Sequence, residues 1–349
     1  MRYGLGMVLV VLAGVTWSTQ GLIFRQIDEA GTWATLFWRS VGMIPVMLGF
    51  LIWRAGGSPL PAIRSVGLAG ALGGPGLVGA FSGAIYSIQS TTIANAVFLF
   101  AASPFLTALI GWMVLGERVR VETWAAMAVA MTGIFVMVRD GLSGGAMAGN
   151  IAALLSAFGF AVFTVTLRWG KVSDSLPSVL LGGLFSIIAG AVVAAQMGQT
   201  LWVPPSDALW AMAMGAGTLS GGMVLYELGS RVVSAAESAL LSNIEVMLAP
   251  LWVWLFLGET ASAATFLGGA ILLVAVIPML VVAAFATAGN LIQHRPLVSV
   301  DPITPKFSKV SPLAGAKRLF SPEALVNFVK GLIKIAVVSA VLWFVLAPE

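Results

Sequence analysis

The chain has 349 residues, of which 59% are hydrophobic and only 9% charged, with a mean hydropathy of +1.00. Ordinary globular domains carry roughly 25% charged residues, so this composition excludes a water-soluble fold and makes lipid the solvent. The net charge of +4 sits on residues at helix ends and in the tail, which points to lipid headgroups and not to nucleic acid. With no cysteine, disulfides, thiolate metal sites and thiol catalysis are excluded as well.

Apolar runs of about 20 residues, the length that crosses a bilayer, follow one another along the chain. They fall near 5–24, 31–53, 66–88, 91–115, 121–138, 147–167, 177–197, 208–229, 234–257 and 263–288, with a less typical eleventh near 324–346. In lipid each run must satisfy its own backbone hydrogen bonds, which a helix does and an open strand does not. The expected fold class is therefore all-α, a polytopic bundle of ten membrane helices with an eleventh behind a basic loop. The first run follows Arg2, but no small-residue cleavage site comes after it, so it is expected to stay as a membrane helix rather than leave as a signal peptide.

The third run, GLAGALGGPGLVGAFSGAIYS, carries seven glycines between Gly67 and Gly83, together with Pro75. Small residues four apart, Gly70 with Gly74 and Gly79 with Gly83, allow backbones to approach closely. The eighth run echoes it with Gly215, Gly217, Gly221 and Gly222. Both packing and flexing as a cavity opens are open readings for these helices.

The fourth run ends in WMVLGE (112–117) and the ninth in WLFLGE (254–259), 142 residues later. At the same offset Leu106 meets Leu248, Trp112 meets Trp254, Gly116 meets Gly258, Glu117 meets Glu259 and Thr123 meets Thr265. A one-residue adjustment pairs Arg25 with Arg168 and Trp17 with Phe160. The chain thus reads as two five-helix copies, 1–140 and 147–277, joined by a short glycine-rich linker. Arg2, Arg54, Arg64, Arg118, Arg120, Arg168, Lys171 and Arg231 fall on one side of the bundle, against Arg25 and Arg139 on the other. That bias places the N-terminus in the cytosol. An odd number of spans per copy then turns the second copy upside down, as in transporters that work by alternating access.

Two five-helix copies, each with a fourth helix ending in LGE, resemble the drug/metabolite transporter superfamily of EamA type over residues 1–277. Within it, TWSTQGLIFRQ at 16–26 is similar to the aromatic amino acid exporters of YddG type. The resemblance implies a small-molecule substrate, residence in the bacterial inner membrane, a monomer and no cofactor. Residues 278–349 instead resemble the FlhB-type export proteins of flagellar and type III secretion, through AGNLIQHRPLVS (288–299), PKFSKVSPLAGAKRLFS (305–321) and ALVNFVKGLIKIAVV (324–338). The uncharged run Ala263 to Ala288 is longer than one span requires and contains Pro278. It reads as a join of the two parts within a single helix, an engineered fusion. The tail then derives from a protein that binds the secretion export gate. Ser321, Pro322 and Glu323 suit the start of the last helix, which either crosses the bilayer or lies in its interface.

Charges and amides inside membrane helices are expensive, so each is a candidate for function. Glu245, with Asn243 beside it, either pairs with Arg39 as a helix lock, serves as a protonatable or amine-binding carboxylate, or lies in a wet cavity with no specific role. Glu237, two turns earlier and opposite Asn95 of the first copy, either lines the same face or is solvated near the inner mouth. Arg39 lies about 12 Å below the outer surface by helix rise, where it receives a substrate carboxylate or pairs with an acid. Trp17, Gln20, Phe81, Ser82, Tyr86, Phe98, Phe163 and Tyr226 either pack as core or line a mixed cavity for a flat, amphipathic solute. Glu227 with Arg231 reads as a structural pair, and Glu117 and Glu259 as loop anchors.

Three readings follow. One is an exporter of aromatic or neutral amino acids, and a second is an exporter of drugs or other metabolites. The third is a scaffold carrying a secretion-apparatus fragment. Enzyme chemistry finds no motif: the single histidine, His294, lies in the tail, and no phosphate-binding glycine loop or nucleophile motif is present.

Overall fold

The computed structural model describes residues 3–275, apart from 118, 120, 145, 173, 234–237, 239, 240 and 243 and the side chains of 122 and 140–144. Glu237, Asn243, the join near 278, the basic loop and the eleventh helix all lie outside the described residues.

The described chain is helical, with no strand among the described residues. In order come α1 (Tyr3–Ser18), α2 (Gln20–Phe24), α3 (Thr32–Ala55), α4 (Leu60–Ser65), α5 (Gly67–Ser90), α6 (Ile93–Phe100), α7 (Ser103–Leu115) and α8 (Val121–Gly144). Then follow α9 (Met147–Trp169), α10 (Leu176–Gln196), α11 (Pro205–Ala213), a π-helical stretch Met214–Gly221 and α12 (Gly222–Ser230). Further helices cover Ile244–Leu257 and Ala263–Ala275. Seven helical stretches among the described residues are long and apolar enough to cross a membrane: 3–24, 32–55, 67–90, 93–115, 147–169, 176–196 and 205–230. Thr123–Arg139, Ile244–Leu257 and Ala263–Ala275 are shorter apolar helices.

Three of the seven are interrupted, each for a local chemical reason. The first breaks at Thr19, where the hydroxyls of Ser18 and Thr19 bond back to the carbonyls of Val15 and Thr16 at 2.7 Å and compete with the helix ladder. The fourth breaks between α6 and α7, where Pro104 brings no N–H to the ladder. The seventh, 205–230, widens into the π-helix MGAGTLSG. There Ser220 donates to Gly215 O at 2.8 Å and to Met43 O of α3 at 3.2 Å.

The repeated LGE motif has a shared geometry. Gly116 and Gly258 take left-handed backbone angles, φ 66° and 65°, which suit a helix C-terminus and tolerate no side chain cheaply. The following amides turn back six residues, Glu117 N–H to Gly111 O at 3.3 Å and Glu259 N–H to Val253 O at 3.2 Å. Glycine stops the helix, and the turn aims the glutamate sideways.

In lipid, helices associate through close van der Waals fit and interhelical hydrogen bonds. Helix α5 crosses α9 where a Cβ on Gly159 would stand 2.6 Å from Gly76 O, and Ser156 donates to Ala80 O at 2.6 Å. Helix α1 crosses α12 in the same manner, with Gly229 against Gly6 O. Two apolar clusters fill the interior. One gathers Met43, Phe81, Phe163, Met214 and Leu219; the other gathers Phe98, Phe105, Met127, Met137 and Leu272.

Candidate functional site

Trp17 stands where α1 is about to break. Its indole N–H points at Leu219 O of the π-helix at 3.4 Å, and its ring lies 5.7 Å from that of Tyr226, tilted by 35°. The approach depends on Gly222: a Cβ there would sit 2.1 Å from the Trp17 indole nitrogen. π-Helical turns inside membrane helices recur at functional sites because they free backbone carbonyls for other partners. Here such a carbonyl meets a tryptophan.

Arg39, from the middle of α3, is 5% exposed, and its guanidinium lies over the Phe81 ring, 4.4 Å from the centroid. Its Nε and Nη2 atoms have no hydrogen-bond partner among the described residues. The α3 backbone is pressed into the π-helix, since a Cβ on Gly215 would reach within 1.8 Å of Arg39 O. Phe163 joins Phe81, Met214 and Leu219 in the same apolar cluster. Thus five of the expected residues, Trp17, Arg39, Phe81, Phe163 and Tyr226, gather around the π-helix and the apolar cluster it joins.

Ser82 and Tyr86, further along α5, line a cleft of about 220 Å³ with Thr32 and Trp33 of α3, Gly83, Met197 and Gln199. The Ser82 hydroxyl bonds back to Val78 O at 2.8 Å, and Tyr86 is exposed. Gln20 is partly buried at the start of α2.

The remaining candidates go elsewhere. Phe98 packs in the second cluster, against Gly269. Asn95 sits at the start of α6, capped by Thr92, and forms a buried polar knot with Thr91, Asn150 and Thr265. Glu245 is partly buried and has no ion pair or hydrogen bond among the described residues, so the lock with Arg39 is not formed.

Ion pairs mark both ends of the bundle. At one end Arg25 meets Glu259 at 2.9 Å and also donates to Ile88 O (3.0 Å) and Thr91 O (3.3 Å), while Glu259 accepts from Ile93 N–H at 2.7 Å. At the other end Arg168 pairs with Glu117. Arg54, at the far end of α3 from Thr32, bridges Asp174 and Glu227, and Glu227 also reaches Arg231 at 3.7 Å. Asp207 is a buried anchor that the sequence reading passed over. Its carboxylate accepts from Glu29 N–H and Ala30 N–H, both at 2.8 Å. Two prolines and a serine before it signal a helix start, but nothing local reveals a loop 178 residues away. Among the described residues no cluster of metal-ligating side chains occurs.

Residues 4–139 match the EamA-like transporter family, and residues 203–349 match the FlhB HrpN YscU SpaS family, a match that begins just before α11. The Yop proteins translocation protein U of Yersinia pestis is 39% identical over 70 residues; these are 20% of this chain, which thus spans 20% of that protein's length. The pseudopaline exporter CntI of Pseudomonas aeruginosa is 26% identical over 278 residues, 78% of this chain and 95% of that protein. A crystal structure superimposes with a TM-score of 0.54 at 18% identity, covering 81% of this chain and 98% of the other, which establishes a shared fold. The chain is therefore a multi-pass membrane protein with an EamA-like transporter domain at residues 4–139 and an FlhB/YscU-family export segment at its C-terminus.

Proposed function

We propose that the chain is a secondary transporter that exports aromatic or other neutral amino acids across a bacterial inner membrane. On this reading it works by alternating access between two inverted five-helix copies, residues 1–140 and 147–277, with the N-terminus in the cytosol. The observation that carries this reading is the pair of reciprocal ion pairs. Arg25 of the first copy binds Glu259 of the second, and Arg168 of the second binds Glu117 of the first. Both arginines stand at the end of the first helix of their copy, and both glutamates follow the fourth. Helix crossings obey the same reciprocity, α5 on α9 and α1 on α12. Such exchange is what an inverted duplication produces, and it leaves two corresponding closures, one at each membrane face.

The tilted Trp17–Tyr226 pair and the Phe81–Phe163 cluster suit a solute with a ring, while Arg39 and Glu245 suit its charged end. The test is uptake of labelled phenylalanine, tryptophan and leucine into proteoliposomes containing the purified full chain. Protein-dependent flux that unlabelled amino acids compete away is expected; no flux for any amino acid rejects the substrate assignment. Glu245→Gln and Glu237→Gln decide the coupling ion, since flux that still follows an imposed pH gradient in both variants removes the proton role.

Export of another metabolite is a second reading, favoured by the similarity to a pseudopaline exporter. Competition of amino-acid uptake by a panel of hydrophilic metabolites separates the two. The FlhB-family match favours a third reading, a transporter carrying a secretion-apparatus fragment. Truncation after residue 277 leaves flux intact if the two parts are independent, and abolishes it if the tail belongs to the transporter.

A further inference from the structure

We infer that Arg39 is the receptor for a carboxylate on the transported solute, held side-on by the Nε–H and Nη2–H edge of its guanidinium. The substrates are accordingly carboxylic acids, whatever the rest of their structure. This deepens the transporter reading and rests on it.

The geometry is specific about which atoms are free. Arg39 is 5% exposed, and the two buried atoms lacking an acceptor among the described residues are Nε and Nη2. In the planar guanidinium these two carry N–H bonds that run parallel along one edge. That edge is a fork whose spacing matches the two oxygens of a carboxylate. A buried polar group is nearly always satisfied, and a buried cation without a partner is among the most expensive features a fold can keep.

The usual structural explanation, an acidic partner, is absent among the described residues. Among the described residues the arginines in ion pairs are Arg25, Arg54, Arg168 and Arg231, and Glu245 pairs with none of them. The fork is also held ready. The guanidinium carbon stands over the Phe81 ring, 4.4 Å from its centroid, and the close contact of Gly215 with Arg39 O ties α3 to the π-helix at this point.

A cleft lies further along the same two helices. Thr32, on the cleft wall, lies seven residues before Arg39 on α3, so the two share a helix face about 10 Å apart. Ser82, also on that wall, follows Phe81 directly.

The experiment measures binding to the purified full chain in nanodiscs by thermal shift and equilibrium dialysis. The probes are phenylalanine, leucine and 3-phenylpropanoate, each beside its primary amide. Acids are expected to bind at least about tenfold more tightly than their amides, and 3-phenylpropanoate, which has no amine, keeps that preference. Arg39→Lys keeps the charge but not the fork, and loses about tenfold for acids with little change for amides. Arg39→Gln removes the preference altogether. Phe81→Leu, which leaves the guanidinium in place without its support, loses a few-fold for acids, and Ser206→Ala, remote from the site, serves as the folded control.

Equal binding of acids and amides, or an acid preference that survives in Arg39→Gln, overturns the inference while leaving amino-acid transport standing. Binding of 3-phenylpropanoate through Arg39 without any amino-acid flux does the reverse. It rejects the amino-acid assignment and upholds the carboxylate receptor. A wild-type chain that prefers no acid of the panel over its amide overturns the receptor.

Discussion

Arg25 and Glu259, 234 residues apart in sequence, meet at 2.9 Å, and their counterparts under the repeat, Arg168 and Glu117, meet at the opposite end of the bundle. The two contacts are not equal. The Arg25–Glu259 side chains are 31% and 17% exposed and are bolted further to Ile88 O, Thr91 O and Ile93 N–H. The Arg168–Glu117 side chains are 46% and 32% exposed. In this conformation the first pair is the stronger closure.

Glu259→Gln should therefore loosen the Arg25 end selectively. Losing a partly buried, charge-assisted pair costs about 1–3 kcal/mol, which is enough to shift a two-state opening by roughly tenfold. The chain has no cysteine, so a single cysteine introduced at Ser90 reports cleanly on that face. Its modification by a membrane-impermeant maleimide should accelerate, and the double exchange Arg25→Glu/Glu259→Arg should restore part of the protection. Glu117→Gln should change stability by about 0.5 kcal/mol or less, because exposed pairs contribute little. Unchanged labelling at position 90 would mean that the pair is a loop anchor and not a closure.

How far this was legible in the chain itself differs from feature to feature. Hydropathy located the seven described helices that are long enough to cross a membrane to within a few residues, because lipid imposes length and composition directly; the expected count of ten is not shown. The glycine of LGE is legible as a helix stop, and the repeat offset matches Glu117 with Glu259 and Arg25 with Arg168. That these four cross-pair was not legible, since the offset aligns like with like and says nothing about which copy faces which. The breaks at Thr19 and in Met214–Gly221 were hidden for a different reason. Both lie within runs whose hydropathy is uninterrupted, and they arise from hydroxyl back-bonding and close helix contact. Asp207 and Asn150 depend on partners far away in sequence, which periodicity cannot reveal. Phe98 and Asn95 have the residue types of a chamber lining but face a second cluster and a polar knot.

Asp207→Ala should be among the most destabilising single changes outside the core. The carboxylate is 3% exposed and satisfies two backbone N–H groups of the 29–30 turn at 2.8 Å. Orphaning both costs about 2–4 kcal/mol, while Asp207→Asn, whose amide oxygen can replace the single Oδ2 that accepts both N–H groups, should lose less than half of that. Ser206→Ala removes only a 3.5 Å contact and should be silent. Chemical denaturation in detergent micelles ranks the three. Equal midpoints for Asp207→Ala and wild type would show that the turn is anchored by other contacts.

Arg39→Met should raise stability in the absence of solute. Replacing a buried cation that has no counter-ion among the described residues by an apolar side chain of similar length removes a desolvation penalty, and such exchanges are often neutral or stabilising by about 1–4 kcal/mol. A higher midpoint together with lost flux is the signature of a group retained for binding. A fall in midpoint of more than about 1 kcal/mol would instead make Arg39 a structural cation, whose lost cation–π contact with Phe81 was holding α3 on α5.

Gly222 and Gly221 form a matched pair for the π-helical site, because they are neighbours in sequence with opposite surroundings. A Cβ on Gly222 would stand 2.1 Å from the Trp17 indole nitrogen and 2.5 Å from its Cδ1, whereas on Gly221 the nearest atom is at 3.9 Å. Neither distance involves helix propensity, which alanine improves at both positions. Gly222→Ala must therefore push the indole away from Leu219 O and out of its tilted contact with Tyr226. Flux should fall by at least about tenfold if that ring pair shapes the chamber. Gly221→Ala, with open space for its methyl, should transport like wild type. Tryptophan fluorescence of the purified variants provides the structural check, with a red-shifted, more quenchable component expected in Gly222→Ala alone. Parallel losses of flux in both variants would point to a flexing requirement for glycine along Met214–Gly221, and full flux in Gly222→Ala would remove Trp17 from the transport pathway.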